Sequence, residues 1–463
     1  MKKSIWIYSL CLVLFSWSCN KKVSPPADAT SNETAIIGAD VIPMTGDQKV
    51  LKNQTIIIKN GKIHKIGPAN EVKPPKGAQM IKAEGKYLMP GLTEMHAHIP
   101  IASDEDDSYV KETLFLYLSQ GVTTIRGMLG NPYHLELKKQ IADETILSPR
   151  VYTSSPSMNG NSVISVSQAE EKVRRYKAEG YDFLKIHPGI KLNVMQKLVL
   201  TAQEIGMPFS GHVPAAVGIR RALDFEYATI DHLDGYVTGM ASEGANADQG
   251  GFFGYEFTDE ASEERMDELI QMTKAKGVAV VPTQTLFTRW MSPKNPAAMT
   301  TEPEMKYMPA KVRYQWRQNK ENLISSPTYT EEKHARFVAL RAKLMKKMYD
   351  NDIQFLSGSD APQVFNVPGF SLLHELEDMA SAGLPIYYIL ETSTAAPARF
   401  FSSTGKYGTV IEGASADLLL LSANPLENIS NMRQQEGVMV RGRWLSKEMI
   451  NDRLAEIAIK NES

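Results

Sequence analysis

The sequence predicts a (β/α)8 TIM barrel flanked by a small β-sandwich built from both chain ends. Three observations carry that prediction. Between about Gly91 and Phe400, eight β-branched runs alternate with helical stretches. Those stretches, such as SQAEEKVRRYKAEG (167–180) and NVMQKLVLTAQEIG (193–206), hold apolar residues at helical spacing and end in Gly, which favours a helix C-cap. Short strand-like runs with Gly-rich turns fill 35–90 and return over 401–455. An open doubly wound sheet is the alternative, but no G-x-G-x-x-G follows an early strand.

Taken in order, the chain opens with Lys2 and Lys3, an apolar run Ile5–Phe15, and a small-residue stretch ending at Cys19. This reads as a secretory signal over residues 1–19, too short for the ~20 residues of a bilayer span. It resembles the bacterial lipoprotein signal, which implies that Cys19 is lipidated. Trp17 and the placement of Phe15 depart from that pattern, so a plain cleaved signal is the competing reading. Residues 20–34 are polar and Pro-containing, as expected of a flexible tether. The implied location is the periplasm or outer membrane of a Gram-negative bacterium, with the membrane met only through the anchor.

Next come AIIGADVIPM (35–44) and TIIIKNGKIHKIGP (55–68), where Asn60-Gly61 signals a tight hairpin. The matching texture at the far end is GTVIEGASADLLLLSANP (408–425) and GVMVRGRWL (437–445). The barrel, 91–400, is read from GLTEMHAHI, VTTIRGM, RVYTSS, DFLKIHP, PFSGHVP, ATIDHL, VAVVPTQTLF and IQFLSGSD. An insertion at 289–332 breaks the rhythm, and its Trp290, Tyr307, Tyr314 and Trp316 suit either a lid over the barrel mouth or packing against the barrel exterior.

Composition narrows the function. With 51 Lys plus Arg against 53 Asp plus Glu, no nucleic-acid binder is indicated. Both cysteines, Cys11 and Cys19, lie in the leader, so no thiolate metal site or disulfide can serve the folded body. His96 and His98 stand two apart in a strand, which sets their side chains on one face about 6.5 Å apart. Alone, such a pair is equally well a pair of partly exposed histidines. Lys185, His212, His232 and Asp360, however, end the fourth, fifth, sixth and eighth runs. In a barrel these ends meet at one face, where active sites are built.

LMPGLTEMHAH (88–98), GHVP (211–214), DHLDGY (231–236), SGSDAP (357–362) and GASADLLLL resemble the amidohydrolase superfamily, within it the imidazolonepropionase-like and prolidase-like hydrolases. The resemblance implies two divalent metal ions. His96, His98 and Asp360 would hold the more buried ion, His212 and His232 the other, and a carbamate on Lys185 would bridge them. A metal-bridging hydroxide would be the nucleophile and Asp360 the general acid/base. Zinc suits a site of imidazole and oxygen donors, with manganese or another divalent ion also compatible.

The expected activity is hydrolysis of an amide bond in a dipeptide or N-acyl amino acid. Cyclic amides or lactones are the second enzyme reading, and a non-catalytic metal-binding envelope lipoprotein is the reading from another class. Ala215 occupies the position where ring-deaminating relatives carry a proton-shuttling residue, which disfavours deamination. His187, Asn159, Asn161 and Tyr236 are candidate substrate contacts. For His187 a structural histidine is an equal reading, and for the asparagines turn chemistry around Gly160 is. His134 is a weaker candidate, and His64, His334 and His374 are read as structural or surface residues. A small molecule is the expected partner, with homo-oligomerisation left open.

Overall fold

Both ends of the chain meet in one mixed eight-stranded sheet. In the computed structural model, which describes residues 33–462 apart from 48, 104, 105, 243, 244 and 246, its main path begins Arg443–Ser446, Gln435–Val440, Leu418–Leu421, Tyr87–Pro90. It continues through Glu33–Val41, Leu51–Lys59 and Lys62–Pro68, with Gln79–Lys82 beside Glu33–Val41. Ile36, Ile56, Ile58, Leu88, Leu418 and Leu420 share its apolar core. The Asn60-Gly61 hairpin forms as expected: both residues have positive φ, 50° and 73°, between paired Lys59 and Lys62. The signal, Cys19 and the tether up to residue 32 lie outside the described residues. Glu33 and Thr34, assigned to the tether, instead open the first strand.

A second correction concerns the C-terminus, where residues assigned to the sandwich as far as 455 leave the sheet at Ser446. Lys447–Glu462 is a helix, and its Ile450, Leu454 and Ile457 recur at helical spacing on the buried face.

Tyr87–Pro90 leads directly into the first barrel strand, Leu92–Ala97, which pairs in parallel with Val122–Gly127 and that strand with Arg150–Thr153. Leu184–Ile186, Phe209–Gly211, Thr229–Asp231 and Ala279–Val281 form a second parallel set. Bridges Ser154 to Phe183 and Met158 to Ile186 join the two sets. The helices behave as read: Ser165 caps Val166–Glu179 by accepting from Gln168 N–H, and Gly180 ends it in the left-handed region.

Two runs differ from expectation. The eighth is not a regular strand, because its hydrogen bonds divide between neighbours: Leu356 N–H donates to Val280, Met95 N–H to Ser357 and Asp360 N–H to His96 carbonyl oxygens. It nevertheless closes the ring between the seventh and first strands. The seventh run is strand only to Val281, since Pro282 and a left-handed Thr283 (φ 45°) turn it into the helix Gln284–Arg289.

Candidate active site

The strand ends bring four imidazoles, one amine and one carboxylate to the barrel mouth. Asp360 Oδ1 lies 2.7 Å from His98 Nε2 and 3.3 Å from His96 Nε2, and ligand atoms of these three residues fall within 4.8 Å of one another. Lys185 Nζ is 3.5 Å from His96 Nε2. The His232 ring centroid stands 4.4 Å from that of His96 and 4.7 Å from that of His212. His187 stacks on the outer side of His212 at 5.0 Å.

Two imidazoles, those of His212 and His232, are held from behind by hydrogen bonds at Nδ1, and the His96 Nδ1 faces a carboxylate without a formed hydrogen bond. Asp231 Oδ2 lies 3.0 Å from His96 Nδ1, Asp234 Oδ2 is 3.0 Å from His212 Nδ1, and Thr283 Oγ1 is 2.8 Å from His232 Nδ1. A carboxylate only accepts, so the His212 Nδ1 carries the proton and the Nε2 lone pair is left free. This is how metal-binding histidines are oriented. The donor chemistry therefore fits divalent ions held by nitrogen and oxygen.

Burial sets the charge states. The Lys185 ammonium is pushed down to about 8, first by desolvation, with nearby Asp231 and Asp360 opposing. His96 and His232 are held well below the ordinary imidazole range, again first by desolvation and then by neighbouring cations and imidazoles. They stay neutral, as ligands must.

Sequence reading missed the residues beneath these six. Glu94, wholly buried, accepts from His96 N–H (2.9 Å), Ser359 N–H (2.8 Å) and Ser359 Oγ–H (2.6 Å), tying the first run to the eighth. Desolvation raises its carboxyl to about 7. Arg126 donates through Nε to the Met95 carbonyl (2.6 Å) and through Nη2 to Asp231 (3.2 Å). Arg341 donates to the carbonyls of His232 (2.8 Å) and Pro282 (2.9 Å). It thereby pins a turn in which His232 holds a left-handed φ of 64°. Asp360 shares that φ, and such strain in non-glycine residues gathers at functional sites. Asp231 and Asp234 lie inside the quoted DHLDGY run, but nothing local distinguishes their roles.

The candidate substrate contacts divide. His187 is half-buried at the mouth, with Nδ1 2.7 Å from Ser157 Oγ. Asn159 Oδ1 accepts from Asn161 N–H (2.8 Å) and Ser162 N–H (3.0 Å), so turn chemistry engages it, and Asn161 is exposed. Tyr236 is corrected: it is fully buried with its hydroxyl 2.7 Å from Thr273 Oγ1, because the left-handed turn at His232 and Leu233 swings the following helix away. His134 and His334 are buried against the Pro100 and Phe287 carbonyls, and His374 pairs with Glu304.

The lid expectation also changes. Phe253, from the segment Phe252–Glu260, covers His232 and His212 at ring distances of 5.1 and 5.7 Å. The insertion 289–332 supports this cover from behind: Trp290 meets Phe252 at 4.8 Å, while Tyr307 stacks on Phe370 and Trp316 packs near Phe365. Tyr314 is exposed. Lys320 locks the insertion down by donating to the carbonyls of Arg289, Trp290 and Ser292. A groove of about 1210 Å³ runs outward past His212, Ala215 and Phe253.

Known proteins share the fold. The fold is similar to a putative prolidase from Bifidobacterium longum (21% identity, TM-score 0.67, covering 92% of this chain and 99% of that one). It is also similar to a bottromycin amidohydrolase (20% identity, TM-score 0.69, covering 93% and 90%). In sequence, a 5-methylthioadenosine/S-adenosylhomocysteine deaminase of Symbiobacterium thermophilum is 36% identical over 63 residues, 14% of either chain. The matches to such deaminases and to imidazolonepropionases span from 14% to 37% of those relatives' own length. Residues 87–445 match the amidohydrolase family over most of the chain and both parts of the fold. The protein belongs to the amidohydrolase family.

Proposed function

We propose that the protein is a binuclear metal-dependent hydrolase of amide bonds, acting on dipeptides or N-acyl amino acids. The observation that carries this reading is the convergence of His96, His98 and Asp360 beside Lys185, His212 and His232, with Asp234 and Thr283 orienting two imidazoles and Asp231 facing a third. His96, His98 and Asp360 would hold one ion, His212 and His232 the second. Two divalent ions, zinc by donor type, would supply an acidified water and polarise a carbonyl. Lys185, with its ammonium lowered to about 8, has the free amine needed to add to carbon dioxide. That addition forms an N–C bond, releases a proton and leaves a carbamate whose single negative charge is shared by two oxygens. Asp360, poised between His96 and His98, accepts the proton of the attacking water and returns it to the leaving nitrogen.

Substrate class follows from the surroundings. Phe253 excludes water from one side of the site. Ala215, on the groove wall, cannot shuttle a proton to a purine ring, which favours amide hydrolysis over the deamination named for the sequence relatives. Prolidase and Xaa-Pro dipeptidase are names carried by structures of the same fold, and they point to dipeptides. The N-terminal pattern supports an exported, lipid-anchored form. The test is elemental analysis with turnover of a panel of dipeptides, N-acyl amino acids and purines. Close to two ions per chain and hydrolysis of a dipeptide are expected. A single ion in fully active protein, or turnover confined to purines, would overturn the reading.

A further inference from the structure

Ser157, Asn159 and His187 form a hydrogen-bonded line that none of the six strand-end residues needs. Its directionality can be worked out from one end. Asn159 Oδ1 is committed as an acceptor, taking backbone N–H groups from Asn161 at 2.8 Å and Ser162 at 3.0 Å. The amide nitrogen is thereby the end that faces Ser157, and Asn159 Nδ2 donates to Ser157 Oγ at 2.8 Å. Among the described residues, one acceptor lies within reach of the Ser157 hydroxyl proton, namely His187 Nδ1 at 2.7 Å. A nitrogen that accepts carries no proton, so the proton of the neutral ring sits on Nε2. That nitrogen has no hydrogen-bond partner among the described residues, and the ring is half-exposed at the end of the fourth strand, stacked on His212.

The loop carrying the line is built to hold it still. Met158 N–H donates to the Lys185 carbonyl, and His187 N–H to that of Met158, so Ser157 and His187 are set by adjacent strands. Gly160 rests against Gly189: a Cβ at residue 160 would come within 2.4 Å of the Gly189 carbonyl oxygen. Ser162 Oγ closes the turn onto the Ser157 carbonyl at 2.7 Å. A preorganised donor beside a reacting carbonyl stabilises negative charge at no reorganisation cost.

We infer that His187 is held as its Nε2–H tautomer by the Asn159–Ser157 relay, and donates that N–H to the carbonyl oxygen of the substrate as the amide carbon becomes tetrahedral. No proton is transferred; the bond shortens as charge develops on oxygen. In this scheme His187 is a catalytic residue and Ser157 and Asn159 are positioning residues. The tautomer stands on hydrogen-bond accounting alone, while its catalytic use rests on the amide-hydrolase reading.

Asn159→Asp provides the decisive test, because it keeps shape and both backbone contacts but turns a donor into an acceptor. The carboxylate then takes the Ser157 proton, Ser157 accepts from His187 Nδ1–H, and Nε2 becomes an acceptor that repels a developing oxyanion. Nitrogen-15 NMR of the metal-loaded full chain, labelled at histidine and assigned with His187→Gln, should show Nε2 protonated in the wild type and Nδ1 protonated in the variant. For the dipeptide turned over best, kcat should fall about 10²–10³-fold, with metal content unchanged. In the His187→Gln background, Asn159→Asp should add little further loss. A wild type protonated on Nδ1, or an Asn159→Asp variant with full kcat, overturns the proposal while leaving hydrolysis standing. If the tautomer inverts as expected but the wild type hydrolyses no amide, the relay stands and both its catalytic use and the hydrolase reading fall.

Discussion

Asp231 and Asp234 stand three residues apart in one turn, yet they support different parts of the site in different ways. Asp231 lies on the barrel floor with no exposed surface, facing His96, Arg126 and Thr229, whose hydroxyl donates to it at 2.7 Å. Asp234 lies on the rim, 14% exposed, and among the described residues holds the His212 Nδ1–H and the Val213 N–H. Floor contacts are part of the fold, because losing one strands another buried charge. Rim contacts chiefly orient a ligand, so they can vary at lower cost to the barrel. This distinction separates what the site must keep from what substrate and metal can tune.

The sharpest way to break that comparison is to remove each carboxylate. Asp231→Ala leaves Arg126 buried without its counter-ion and should cost about 3–5 kcal/mol of stability in chemical denaturation. Asp234→Ala leaves the His212 Nδ1–H and the Val213 N–H without their acceptor on the rim and should cost about 1–2 kcal/mol. Equal losses would mean that the floor is no more structural than the rim.

Asp360 and Lys185 should fail differently from either. Asp360→Asn keeps its shape and an oxygen donor but cannot accept a proton, so turnover should drop about 10²-fold or more with metal largely retained. Lys185→Ala should lose metal as well as activity, and formate or acetate entering the gap should restore part of both. Wild-type metal content and rate in Lys185→Ala would remove the carbamate from the mechanism.

A rim effect should appear in affinity rather than stability. Asp234→Ala removes the acceptor that fixes the protonated Nδ1 of His212, and the affinity for one of the two proposed ions should weaken about 10–100-fold. Competition with a chelator measures this, and two ions of unchanged affinity would refute it.

Acid should act on the floor. His96 and His232 sit well below the ordinary value of about 6.5, so the unfolded chain binds protons that the folded one refuses. Stability of metal-stripped protein should therefore be fully present above pH 6.5. It should fall below that by roughly 1.4 kcal/mol per pH unit for each such histidine. A melting temperature unchanged between pH 7.5 and 5.5 would mean that these rings do protonate when folded.

The residues that end strands were legible because each sits in a short motif whose spacing survives folding: HxH, SGH, TIDH and SGSD. Glu94, Arg126 and Arg341 were not, since their meaning lies in partners far along the chain and each is locally just a charge in an apolar run. Tyr236 misled because positive φ at His232 and Leu233 reverses the chain, which a side-chain count cannot register. The insertion 289–332 drew attention by its aromatics, yet Phe253, in a segment that carries no recognisable motif, reaches the imidazoles. The fold was more legible than the cover because strand and helix periods are local, whereas what roofs a barrel is decided by packing between distant loops.

The clasp between Glu94 and Ser359 spans 265 positions of chain. At ribosomal rates of about 5–20 residues per second, the first half of this clasp waits on the order of ten seconds to a minute for its second half. Throughout that interval His96 and His98 exist without Asp360, and an ion meeting the growing chain finds an incomplete set. Chains that stop short of the eighth run lack both Ser359 and Asp360, so the floor stays unclasped and the proposed His96–His98–Asp360 set can never be completed, wherever the chain folds.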